Sequence, residues 1–143
     1  MSPASLRLAP DAAMALGIAA TAMPFARGRC DGVLRWLRIL RLYGDSGVAL
    51  QALGLGEAQL DGAPECERGS LDDACQDIVA EVAQQACRIS MDRGAAVVTT
   101  SDLLLAVMLV YGADFDRVLA TYGIDREEVA GRVQPRKGSC AHN

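Results

Sequence analysis

At 143 residues the chain holds one domain or two very small halves. Hydrophobic residues make up 51% of it but aromatics only 4%, so its core must be aliphatic; Ala and Leu dominate, which predicts an all-α fold. A formal net charge of −4 argues against nucleic acid as a partner, and no run approaches the ~18 apolar residues a membrane span needs.

The first apolar stretch follows Arg7, as in a leader segment. Pro10 and Asp11 precede its Ala-rich part, however, and proline suits a first helical turn. A helix over 10–25 is predicted. The next helix, over 33–43, places Leu34, Leu37 and Leu40 on one side and Arg35, Arg38 and Arg41 on another, with Arg27 and Arg29 just before it. The arginines suit either a docking face for an acidic partner or a solvated helix face. Trp36, the only tryptophan, is either a binding anchor beside them or a core residue. A short helix over 45–53 ends at Gly54, and a last turn covers 56–61.

Gly, Pro and charge cluster in 61-DGAPECERGS-70, which marks a linker over 62–69. Beyond it a long helix is predicted over 71–91, with Ser70 and Asp73 at capping-box spacing. Asp73, Asp77 and Glu81 form a polar stripe along it. An uncharged helix follows over 100–111, predicted to be central and buried, with Thr99 and Asp102 at capping-box spacing. Its opening residues, Thr100, Ser101 and Asp102, suit an anion at a helix N-terminus as well as simple capping. Helices over 115–122, ending at Gly123, and 126–133, opened by Asp125 with Glu128, complete the pattern. The polar tail over 134–143 is predicted to be disordered.

The chemistry of a site is sparse. Five cysteines (Cys30, Cys66, Cys75, Cys87 and Cys140) include no CxxC pair, and the sole histidine, His142, is in the tail. This disfavours a zinc site and suggests reduced thiols in a cytoplasmic protein without cofactor or metal. Nucleophile–histidine catalysis has no core histidine to use. Acid–base chemistry would need two of the carboxylates Asp11, Asp73, Asp77, Glu81 and Asp102 buried as a pair. Cys30 beside Arg29 is the one cysteine with a basic neighbour.

The two halves repeat. Sliding one on the other by 69 positions pairs Leu34 with Leu103, Leu50 with Leu119, Gly54 with Gly123, Leu55 with Ile124 and Leu60 with Val129. Tyr43-Gly44 and Tyr111-Gly112 match at an offset of 68. The second half contains Thr100-Ser101-Asp102-Leu103-Leu104-Leu105-Ala106, then Arg117-Val118-Leu119 and Tyr122-Gly123-Ile124-Asp125. The first contains the more divergent Asp31-Gly32-Val33-Leu34-Arg35-Trp36-Leu37, then Leu50 and Leu53-Gly54-Leu55. Across residues 6–133 this double pattern resembles the Clp N-terminal domain, the receiving module of Clp-type AAA+ unfoldases.

The resemblance implies two pseudo-symmetric four-helix repeats, about 6–61 and 70–133, packed as one domain. It also implies binding of unfolded or tagged proteins, adaptors or peptides without catalysis. No phosphate-binding G-x-x-x-x-G-K-S/T sequence is present, so no ATPase accompanies it. The family's Glu-His pair is replaced by Ser101-Asp102 and by Gly32-Val33, leaving Asp102 and Asp31 as the nearest acids for a phosphoarginine tag. The expected role is a stand-alone protein- or peptide-binding accessory, or decoy receptor, for a Clp chaperone–protease. Its expected partners are the unfoldase or protease subunits, their substrates or their adaptors. The other reading is a repurposed scaffold that sequesters a natural product or converts a small molecule, as a cyclase or isomerase does. Candidate contact residues are Asp31, Arg35, Trp36, Arg38, Thr100, Ser101 and Asp102. A protein binder should present an exposed groove of mixed polarity; an enzyme, an enclosed apolar pocket with convergent polar groups.

Overall fold

Pro10 opens the first helix, α1 (Pro10–Ala22), from Ala9, where the missing proline N–H costs nothing. The computed structural model describes residues 7–55 and 77–133. Among these the elements in chain order are strand β1 (Arg7–Leu8), α1, a 3-10 turn (Met23–Phe25), α2 (Arg29–Leu40), α3 (Gly44–Ala52), α4 (Ile78–Asp92), strand β2 (Val97–Val98), α5 (Thr100–Tyr111), α6 (Ala113–Ala120) and α7 (Arg126–Val133). The all-α class holds, with one addition. β1 and β2 form a two-residue parallel pair, fastened by Arg7 N–H to Ala96 carbonyl (3.1 Å) and Ala9 N–H to Val98 carbonyl (2.8 Å). Two residues are too few to show a strand alternation in sequence.

Several boundaries differ from expectation for local reasons. The helix predicted over 10–25 ends at Ala22, and Pro24 sits in the 3-10 turn that follows. α2 starts four residues earlier than 33, because Gly28 breaks the chain at φ +144° and Asp31 in the first turn accepts the Arg27 N–H. The helix predicted over 71–91 is interrupted at Asp77, and residues 71–76 lie outside the described residues. Asp77 is non-helical and caps a helix beginning at Ile78, its carboxylate accepting the Ala80 N–H at 3.1 Å. The expected Ser70 start, the turn over 56–61, the linker and the tail lie outside the described residues, as do Cys66, Cys75, Cys140 and His142. No helix among the described residues is long and apolar enough to cross a membrane.

α5 is central. It packs against α1, α2, α3, α4, α6 and α7, most extensively against α4. Leu103, Leu104, Leu105, Val107 and Met108 are all buried on it, each contributing about 1.5–3 kcal/mol by leaving water. α2 adds Val33, Leu34, Trp36, Leu37 and Leu40 from its apolar side. α1 contributes only alanines to the core, Ala12, Ala15 and Ala19, while Met14 and Ile18 on its other side are exposed. Small side chains let its backbone approach closely without filling the space beyond.

α3 and α6 stop in the same way. Gly54 and Gly123 take left-handed φ values of +86° and +73°. The next residue's N–H then reaches back, Leu55 to Leu50 carbonyl (2.8 Å) and Ile124 to Leu119 carbonyl (3.1 Å). Leu50, Leu55, Leu119 and Ile124 are buried, so each turn also folds an apolar side chain inward.

Candidate functional site

The residues singled out by sequence separate into three places. Asp31 sits in the first turn of α2, and its Oδ2 accepts from the Arg27 N–H (2.9 Å) and from Arg35 Nε (3.1 Å). Arg35 also donates to the Phe25 carbonyl at 3.2 Å. This pair fastens the turn between α1 and α2. Arg38, further along α2, is half-buried, with its Nε out of contact with solvent. Trp36 is fully buried, so the anchor reading gives way to core packing. Helical geometry turns it away from the arginines beside it.

Thr100, Ser101 and Asp102 are buried at the start of α5, and Thr100 and Asp102 are each 1% exposed. Thr100 Oγ1 accepts the Ser46 N–H from α3 at 3.3 Å. The expected capping box is present: Asp102 N–H donates to Thr99 Oγ1 (3.3 Å), and Thr99 N–H donates to Asp102 Oδ2 (2.9 Å). The same Oδ2 accepts from Thr99 Oγ1 and forms an ion pair with Arg93 at the end of α4. The corner is therefore closed to an outside anion, and Asp102 holds α4 to α5. A tagged arginine would need accessible acids. Asp31 and Asp102 are instead each occupied by an arginine of this chain, on different helices.

The open space lies elsewhere. A half-open cavity of about 590 Å³ is bounded by Leu16 and Ala20 of α1, Met23 and Pro24 of the 3-10 turn, and Gly28, Arg29 and Gly32 at the start of α2. Ile78, Val79, Ala80 and Ala83 of α4 face them, and Tyr111 of α5 completes the wall. The lining is mainly apolar and rich in small side chains. Its polar groups are Arg29, Tyr111 and Asp77.

Arg29 is fixed rather than free. Its Nε donates to Asp114 Oδ2 at 2.7 Å, its Nη2 donates to the Val110 carbonyl at 2.9 Å, and its guanidinium lies 5.1 Å from the Tyr111 ring centre. Tyr111 is 4% exposed. Burial pushes its pKa up to about 12, against smaller opposing effects from the Trp36 indole N–H and the Arg29 charge; Glu81 adds slightly to the rise. The Trp36 contact is weak. The indole N–H reaches no acceptor in full hydrogen-bond geometry, yet lies near enough to favour the phenolate.

Asp77 and Glu81 are both exposed on α4, as a solvated stripe requires, and Asp77 is occupied in capping. Cys30 and Cys87 are half-buried free thiols. Among the described residues no group of three His, Cys, Asp or Glu side chains is placed to hold a metal ion. No family model matches the chain, and neither the curated proteins nor the solved structures yield a match to it.

The sequence reading missed this cavity. Its signals were the small residues at Ala20, Ala26, Gly28, Gly32, Ala80 and Ala83, spread over three helices and the loop before α2, and an α1 with no marked apolar face. Tyr111 entered that reading only as a marker of the repeat.

Proposed function

We propose that this chain is a Clp-N-like double-repeat domain that binds an apolar peptide segment, as an accessory or decoy receptor in a Clp chaperone–protease system. The cavity between α1 of the first half and α4 of the second carries the reading. It is half-open, apolar and large enough for one or two apolar side chains. The repeat reading is supported by the paired glycine stops after α3 and α6, and by Tyr43-Gly44 and Tyr111-Gly112, whose glycines take φ +54° and +55°. Burial of Asp102 and the Asp31–Arg35 pair favour recognition of apolar side chains over recognition of a charged tag.

A second reading is favoured by the cavity's size. A volume near 590 Å³ falls within the range of small-molecule sites, roughly 300–1,000 Å³. On this reading the domain sequesters a natural product. One experiment separates the two: capture of Clp unfoldase and protease subunits on the immobilised chain, with a metabolite-extract thermal-shift screen on the same sample. Specific capture, lost on Ala20→Trp, supports the first. No capture, together with strong stabilisation by a small molecule, sinks it in favour of the second.

A further inference from the structure

Tyr111 is one of three polar residues that line the cavity. Tyr111 is 4% exposed, and its hydroxyl receives only a weak approach from the Trp36 indole N–H. Space has been made for it. A Cβ on Gly32 would lie 2.8 Å from the Tyr111 hydroxyl oxygen, so only glycine at that point of α2 leaves the hydroxyl where it is. Behind it the Trp36 indole N–H approaches the hydroxyl oxygen without reaching full hydrogen-bond geometry.

Resting on the reading that the cavity is the binding site, we infer that the Tyr111 hydroxyl is its specificity determinant: it donates to one neutral carbonyl acceptor of an otherwise apolar ligand, such as a backbone carbonyl of an apolar peptide segment. Three observations fix the polarity. An indole N–H can only donate, so Trp36 behind the hydroxyl oxygen leaves Tyr111 to donate forward. The Arg29 guanidinium over the ring increases the acidity of the hydroxyl and strengthens it as a donor. Burial keeps it protonated throughout the neutral range. The ligand's acceptor is neutral rather than anionic because Arg29, the nearest cation, is already paired with Asp114 at 2.7 Å.

Two probes with one skeleton test this: cyclohexyl phenyl ketone and benzylcyclohexane, which differ by the carbonyl. Affinities are measured on the intact chain and on Tyr111→Phe. The ratio of ketone to hydrocarbon affinity is expected to fall about threefold to tenfold in the variant, with hydrocarbon affinity unchanged. The single indole N–H resonance of Trp36 is expected to shift with the ketone and not with the hydrocarbon. An unchanged ratio with both probes bound overturns the inference, because Tyr111 would then only fill space. Failure of both probes to bind the parent overturns the inference and the cavity reading together. N-acetyl-leucyl-leucine N-methylamide, run as a competitor, tests the source of the carbonyl. If it fails to displace the ketone while the Tyr111 dependence holds, the acceptor site stands and the peptide reading falls.

Discussion

Asp102 shows how one side chain can be decisive without being exposed. Its Oδ2 receives the Thr99 N–H, the Thr99 hydroxyl and the Arg93 guanidinium at once. Asp102→Ala removes the cap and leaves a buried N–H and a partly buried cation without their partner. A loss of about 2–4 kcal/mol in urea unfolding is expected, with Asp102→Asn recovering part of it. Gly32→Ala tests the close approach to Tyr111. It should cost about 1–3 kcal/mol, and adding Tyr111→Phe should recover much of that, giving a clear coupling energy in a double-mutant cycle. Tyr111 also makes stability depend on alkaline pH. Its folded pKa of about 12 lies above the ordinary 10.0, so the folded state holds the proton more tightly. This contribution is complete below pH 10 and is lost as pH rises through 12, about 2–3 kcal/mol in all. Tyr111→Phe should abolish that loss, and tyrosinate absorbance should show one of the three tyrosines ionising late.

At the scale of elements, matched substitutions probe the likeness between the halves. Around Gly54 and Gly123 an added Cβ meets nothing within 4 Å, so alanine there meets only the backbone penalty of a left-handed φ. Each of Gly54→Ala and Gly123→Ala should cost about 1 kcal/mol in denaturant unfolding, and the two costs should agree closely. These stops were legible in sequence because a helix end is a local event, written in a glycine and the apolar residue after it. The same holds for the Thr99–Asp102 box and for Asp125 with Glu128, which exchange bonds of 2.9 and 3.2 Å. The break at Asp77 was not legible, because an Asp inside a helical pattern reads equally as a cap or as part of a polar stripe. What lies between elements was not legible. Arg29 pairs with Asp114, 85 residues away, and nothing in the neighbourhood of either announces the other. The cavity is of the same kind, built from small residues on separate helices.

The whole molecule is organised around one helix whose carboxyl end is held by cations from outside it. Arg29 donates to the Val110 carbonyl, and Arg126 donates to those of Met108 and Gly112 at 3.4 and 3.3 Å. These carbonyls carry the negative end of the α5 dipole, and each arginine is balanced in turn by an acid on α6, Asp114 or Asp116. The short pairing of β1 with β2 bears on the cavity. β1 leads directly into the beginning of α1, and β2 follows the end of α4. The cavity lies toward the opposite ends of both helices, at Leu16 to Met23 and at Asp77 to Ala83. The strand pair and the cavity therefore lie at opposite ends of the same two helices, both of which pack against α5. The pairing of β1 with β2 thus fixes how α1 and α4 leave their common end, and with it the separation of the two walls from which the cavity is built.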